Sequence, residues 1–325
     1  MSVRYPNPIQ AGNLVALVAP SSGVQPNMHD RLNAVISLLQ ARGLRVQEGS
    51  LLRRQCRGAS GSAAERAKEL MDALLDNEVA AVLPPWGGDL AIETLRLMDF
   101  EKLEMASPKW LSGFSDISTI QLPLLIRAKW ASIHGPNLMQ LPDAELSETS
   151  GTIFNAWLCG SGSTITQNSS DGSISHRLDG STMPLSFSGR LVGGCLDSIS
   201  RLAGSPYGDV QAFGQSCTRD GLIVYLENAE LKPFELARAL MGLRLAGWFD
   251  TAGGILIGRN AANESNASVD YSVNVAMAGA LEGIECPVLI DVDIGHVGPQ
   301  WSIVQGALGV VNWKDGKATL HQTLN

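Results

Sequence analysis

Short, nearly unbroken apolar runs, each stopping at a cluster of Gly, Pro, Ser or Asp, restrict the fold of this chain more than any other feature. Asn13 to Ala19 stops at Pro20-Ser21-Ser22-Gly23, and Val79 to Leu83 stops at Pro84-Pro85-Trp86-Gly87-Gly88-Asp89. Runs this short and without alternation suit strands buried on both faces, as in a parallel sheet. Between them lie helical spacings: Leu32, Val35, Ile36 and Leu39 within Asp30 to Ala41, then Ala63, Ala67, Leu70 and Leu74 within Ser62 to Asp76. Gly43 fits the first helix's C-terminal cap, and Leu44 to Val46 supplies the intervening strand. This β-α-β-α-β rhythm predicts an α/β domain with a parallel sheet.

The stretch Lys109 to Ser118 (KWLSGFSDIS) carries the chemistry of that domain. Trp110 and Leu111 read as the end of a buried strand, Gly113 permits a tight turn, and Ile117 to Lys129 reads as a helix kinked at Pro123. A strand, a sharp turn with Ser115 at its tip and then a helix is the geometry of a nucleophile elbow. It exposes a hydroxyl and aims free helix N–H groups at a reacting oxygen. Ile117 stands where G-x-S-x-G would place its second Gly, so the motif by itself is weak. The Gly87-Gly88 pair, set between a strand and the helical run Leu90 to Met98, leaves backbone N–H groups open to a ligand; a plain βα turn is the alternative. His134, after the short strand Ala131 to Ile133, is either a base or a hydrogen-bonded loop residue.

From Leu141 to Gly189 the chain turns rich in Ser, Gly, Thr and Asn and reads as a domain crossing followed by short strands or a hairpin, with helical periodicity only around Thr152 to Leu158 and Trp157 expected in a core. A division follows: an N-terminal domain over 1–150, a crossing segment over 151–188 and a C-terminal domain over 189–325. In the last, Leu191 to Cys195, Gly221 to Glu227, Ala252 to Ile257 and Val288 to Val292 read as strands. Leu196 to Leu202, Lys232 to Leu245 and Asn266 to Leu281 read as helices, and Ala307 to Val311 with Ala318 to His321 as a hairpin about Asp315-Gly316.

A formal net charge of −8 implies no basic face for nucleic acid. Leu14 to Pro20 is too short for a bilayer span or a signal h-region, so no membrane partner is expected and the chain is read as cytoplasmic. Five scattered cysteines without C-x-x-C, and five histidines without paired spacing, offer no disulfide framework and no metal-ligand cluster. No cofactor is expected.

Ser115, Glu227 and His296 share one local grammar, each lying at or just after the end of a buried strand. A hydroxyl, an imidazole to take its proton and an acid to hold the imidazole's tautomer suffice for nucleophilic catalysis. A strand-capping carboxylate and a turn histidine are the plainer readings of the last two. The flanking residues, VAPSSG at 18–23, WGGD at 86–89, GFSDIS at 113–118, HGPN at 134–137, GRLVGGCLD at 189–197, YLENAE at 225–230 and DVDIGHVGP at 291–299, tip the balance. In that order they resemble peptidase family S66, the LD-carboxypeptidases and microcin C self-immunity proteins.

The resemblance implies a fold and a mechanism. The fold is an N-terminal parallel-sheet α/β domain carrying Ser115 and a mixed α/β C-terminal domain bringing Glu227 and His296, with the active site in the cleft between them. The mechanism is a Ser115–Glu227–His296 triad with an oxyanion hole at the N–H groups of Gly88 and Asp116. Trp86, Gly87, Asp89 and Glu230 become the substrate-contact candidates. Members are typically cytoplasmic homodimers that cut the amide before a terminal D-amino acid in murein peptides; a sub-branch cleaves peptidyl or aminoacyl nucleotides. Many LD-carboxypeptidases place Arg on both sides of the Gly-Gly, and here the nearest is Arg96. The expectation is therefore weaker dependence on a substrate carboxylate, unless Arg190, Arg201 or Arg259 supplies the charge. A peptide-nucleotide amide is the alternative substrate, and a non-catalytic binder of anionic peptides is the alternative of another class.

Overall fold

The computed structural model describes residues 2–142, 151–217, 219–263 and 270–325. Two sheets organise the chain into a two-domain α/β fold. The first orders its strands β12-β5-β4-β3-β1-β2, where β12 is Ile303–Gln305. β1 (Leu14–Leu17), β2 (Arg45–Glu48), β3 (Val79–Val82), β4 (Trp110–Gly113) and β5 (Ser132–His134) run parallel. β1 and β3 each feed a long crossover, so the chain reverses its direction of winding between them. Such a switch point opens a crevice at the strands' carboxyl ends. The turns beginning at Pro20 and Pro84 both leave from that edge.

The helices follow the expected periodicities. His29–Ala41 buries Leu32, Val35, Ile36 and Leu39. Ala63–Leu75 buries Ala67, Leu70 and Leu74, and starts from a capping box between Ser62 and Glu65. The expected helix after Gly88 is a 3₁₀ helix, Ala91–Leu97. The helix after the elbow begins with a 3₁₀ turn, Ser115–Ile117, continues as Ser118–Ala128 with Pro123 inside it, and is almost wholly buried. Phe100–Met105 and Val210–Ser216 are helices with no counterpart in the sequence reading.

The second sheet orders β6-β14-β13-β8-β9-β10-β11-β7. β8 (Leu185–Cys195), β9 (Leu222–Glu227), β10 (Ala252–Gly258) and β11 (Val288–Val292) form its parallel centre. β6 (Thr164–Asn168) and β7 (His176–Arg177), both from the Ser-rich segment, close its edges. The tail hairpin is β13 (Leu308–Lys314) with β14 (Lys317–Thr323). Asp315 at φ 50 and Gly316 at φ 80 give it the two-residue turn that matches strand twist. The last predicted helix is observed as Val273–Ala280; of its expected start, residues 266–269 lie outside the described residues.

One strand crosses over. β12 (Ile303–Gln305) follows the His296 loop and pairs antiparallel with β5, joining the first sheet. The pairing, with Ile303 and Ile133 buried in it, ties the loop bearing His296 to the sheet bearing Ser115. Trp157 is buried, as expected, and its indole N–H donates to Ser112 Oγ at 3.2 Å. Among the described residues no helix is long and apolar enough to cross a membrane.

Candidate active site

Carboxyl ends of both sheets' parallel strands converge on one point. β4 ends at Gly113 and delivers Ser115 two residues later with φ 62. A left-handed backbone costs a non-glycine residue about 1–2 kcal/mol. Asp116 offsets it: the buried carboxylate accepts hydrogen bonds from Ser21 Oγ at 2.6 Å, Ala91 N at 2.8 Å and Thr119 Oγ1 at 3.1 Å. Bonds of this charged type contribute about 1.5–3 kcal/mol each. The side chain of Asp116 thus pins the elbow to the loops after β1 and β3. From the HGPN loop, Asn137 Oδ1 accepts from Phe114 N at 3.1 Å.

Gly87 and Gly88 pass directly over the elbow. A Cβ on Gly87 would lie 2.6 Å from Ser115 Cβ and 2.7 Å from Ser115 Oγ. Gly88 has φ 137, and a Cβ there would meet Ser21 Oγ at 2.5 Å. Only glycine lets this backbone approach the serine so closely.

The second sheet brings the partners. Glu227 ends β9, fully buried. The loop after β11 returns over it at Gly295 (φ 90), where a Cβ would lie 2.5 Å from Glu227 Cβ. This contact sets His296 Nδ1 2.7 Å from Glu227 Oε2 and His296 Nε2 3.2 Å from Ser115 Oγ. The Phe114 ring, 4.6 Å away between centroids, packs on the imidazole. Arg259 holds the loop from behind, pairing with buried Asp293 at 2.9 Å and donating to the carbonyls of Val297 and Pro299.

Electrostatics follow from this arrangement. Burial pulls the His296 imidazole down, but its hydrogen bond to Glu227 and the charges of Glu227, Asp197 and Glu230 outweigh burial and hold its pKa above the ordinary histidine value. Burial pushes the Glu227 carboxyl up; the bond and charge of His296 outweigh it and keep the pKa below the usual range. His134 is fully buried, and burial lowers its pKa to about 4. It faces Ser118 Oγ at 3.5 Å and the ring of Tyr225, not Ser115, which leaves it neutral packing rather than a base.

Two chambers meet at Gly88, Ser115 and His296. One, of about 470 Å³, is neutral and rich in amides: Gln25, Asn27, Gln55, Asn137 and Gln140, with Trp86 and Gly87. The other, of about 370 Å³, is charged and holds Asp89, Asp197, Glu230 and Arg201. All four substrate-contact candidates from the sequence therefore line one or other chamber. Asp197 is engaged, accepting from the N–H groups of Ala229 and Glu230 at 2.9 and 2.8 Å. The arginines sort themselves. Arg190 is spent on Asp220 and the carbonyl of Asn325, and Arg259 on its loop. Arg201 is exposed, has no ion pair among the described residues, and is the one permanent cation lining either chamber.

The sequence offered no metal-ligand cluster, yet Cys195, Glu227 and His296 place donor atoms within 4.8 Å of one another. Cys195 ends β8 directly opposite Glu227 on β9. The spacing of these residues along the chain hides a contact that only strand register creates.

Comparison with known proteins matches the LD-carboxypeptidase N-terminal domain model over residues 15–135 and the LD-carboxypeptidase C-terminal domain model over 188–311. A putative carboxypeptidase of Streptomyces coelicolor is 28% identical, covering 97% of this chain and 95% of the relative. A probable murein peptide carboxypeptidase of Bacillus subtilis is 25% identical, covering 98% and 95%. The microcin C7 self-immunity protein MccF of Escherichia coli is 21% identical, covering 92% and 90%. Among solved structures, an MccF-like protein from Bacillus anthracis superposes with a TM-score of 0.83 at 18% identity, covering 99% of both chains. A muramoyltetrapeptide carboxypeptidase from Oxalobacter formigenes gives 0.77 at 21%, covering 96% and 99%.

Proposed function

Because the chain belongs to the LD-carboxypeptidase family, peptidase family S66, we propose that it is a serine hydrolase removing a terminal D-amino acid from murein-derived peptides. One observation carries this reading: Ser115, held at φ 62, lies 3.2 Å from His296 Nε2, whose Nδ1 lies 2.7 Å from buried Glu227. Ser115 Oγ attacks the amide carbonyl as His296 Nε2 takes its proton. The carbonyl oxygen becomes an oxyanion held by the N–H groups of Gly88 and Asp116, where each such donor is worth about 10²–10³ in rate. His296 then protonates the leaving amine, and water enters by the same route to release the acyl group. Glu227 keeps Nδ1 protonated and stabilises the imidazolium without accepting the proton itself.

The charged chamber suits the terminal amino acid, with Arg201 taking its carboxylate. The neutral chamber suits the peptide on the acyl side, where side-chain amides match backbone groups. A second reading, cleavage of an aminoacyl- or peptidyl-nucleotide amide, draws on the same neutral chamber. Trp86 and its amide neighbours could hold a nucleobase, and the MccF structure with glutamyl sulfamoyl guanosine superposes with a TM-score of 0.81 at 17% identity, covering 100% of this chain and 99% of that one. A homodimer in the cytoplasm completes the proposal; sedimentation and cell fractionation test those two points.

The decisive experiment is Ser115→Ala assayed on a murein tetrapeptide and on an aminoacyl-sulfamoyl adenosine. Folded variant with activity down about 10⁴-fold or more on the better substrate is the expected result. Retention of more than about a tenth of the activity defeats the mechanism, and the substrate turned over by the unmodified protein chooses between the readings.

A further inference from the structure

We propose that Cys195, Glu227 and His296 form a binding site for zinc that switches the hydrolase off. Cys195 and Glu227 are opposed residues on neighbouring parallel strands, so thiol and carboxylate project side by side from one face. His296 closes over them, and the three donor atoms lie within 4.8 Å of one another. Zinc bonds of about 2.3 Å to sulfur and 2.0–2.2 Å to nitrogen and oxygen imply donor separations of about 3.3–3.7 Å, so no gap need close by more than about 1 Å, and the 2.7 Å contact of His296 Nδ1 with Glu227 Oε2 opens by about 0.6 Å, to complete three corners of a tetrahedron. The charged chamber reaches both Cys195 and His296 and leaves the fourth corner to water.

A second observation points to a ligand independently. Glu227 Oε1 is buried and has no hydrogen-bond partner, while Oε2 is taken by His296. Buried carboxylate oxygens are rarely left unpaired, because such a group keeps its full desolvation cost. Zinc takes the sulfur as thiolate, so metal entry releases the Cys195 proton to solvent.

Inhibition follows from proton placement. Zinc on His296 Nδ1 displaces the hydrogen bonded to Glu227, and the neutral ring then carries its proton on Nε2. That nitrogen no longer has the lone pair needed to accept the hydroxyl proton of Ser115. The hydrolase is blocked without any covalent change, and removal of the ion restores it.

The test uses the intact protein with zinc chloride and, separately, cobalt chloride. Micromolar zinc should lower the rate at least tenfold, with full recovery in excess EDTA. Cys195→Ser should keep its metal-free rate within about threefold and need at least thirtyfold more zinc for half-inhibition. Cobalt should give the unmodified protein a thiolate-to-metal absorption in the near ultraviolet that Cys195→Ser lacks. The cobalt measurement needs no substrate, so it decides the site even if the hydrolase reading fails or the variant does not fold. Absence of the cobalt band, or equal zinc sensitivity in Cys195→Ser, overturns the proposal.

Discussion

Replacing Arg201 tests how this site recognises a terminal carboxylate. Among the described residues it is the one permanent cation lining either chamber beside Ser115, and the Gly-Gly loop carries no arginine of its own. A carboxylate held about 4 Å from its guanidinium gains about 1 kcal/mol if fully screened by water and about 4 kcal/mol at a typical protein-surface dielectric. A charge-assisted hydrogen bond falls between, at about 1.5–3 kcal/mol. Arg201 is exposed, so the lower part of that range applies, and about 1.5–2 kcal/mol corresponds to roughly 10–30-fold in rate. The assay is kcat/KM on two matched tetrapeptides, one ending in free D-alanine and the other in its amide. Unmodified protein should prefer the free acid by that factor. Arg201→Ala should lose roughly 10–30-fold on the acid and less than about twofold on the amide, with Arg201→Lys between. Equal losses on both substrates would mean that Arg201 acts on folding or geometry. An unchanged preference for the acid would mean that some other group binds the carboxylate.

Three further outcomes follow from the geometry. The acid limb of kcat/KM should lie above pH 6.5, because the general base must be neutral and Glu227 with its acidic neighbours raises the pKa of His296; Glu227→Gln should slow the enzyme and move the residual limb to lower pH. Gly87→Ala should cut kcat by about 10²-fold or more with the circular dichroism spectrum unchanged, since its Cβ would press on Ser115 at 2.6 Å; near-normal kcat would mean that the loop is not held against the elbow. His134, with its pKa lowered to about 4, binds a proton in the unfolded chain below about pH 6.5 but in the folded one only near pH 4, so stability is lost as pH falls through that window. Urea titrations should find that His134→Gln removes about 2 kcal/mol of the loss between pH 7.5 and 5, and identical pH dependence in the two proteins would contradict the buried neutral state.

How much of this was legible in the chain depends on the range of the interaction that made it. Ser115, Glu227 and His296 share a local signal, a short apolar run closed by turn residues, but that signal left a strand-capping carboxylate and a turn histidine the plainer readings, and the family motifs around them tipped the balance. β12 was not readable: three residues, Ile303–Gln305, become a strand only because β5, far away in sequence, offers an unpaired edge. β6 and β7 were legible only as short strands of the Ser-rich segment with no assigned place, because their partners β14 and β11 lie far along the chain. The side chain of Asp116 passed unnoticed beside its N–H because its partners, Ser21 and Ala91, come from two other loops. Arg190, Arg201 and Arg259 were equivalent in sequence and were separated only by which of them found an acid within reach. Cys195 is the sharpest case. It stands opposite Glu227 because β8 and β9 pair in the register that joins Arg190 to Leu222, and a slip of one residue would turn the thiol to the other face of the sheet. The residues proposed to do the chemistry sit in motifs that lie within a short window, whereas those that hold, charge or obstruct them are chosen by register and crossover, which no window along the chain contains.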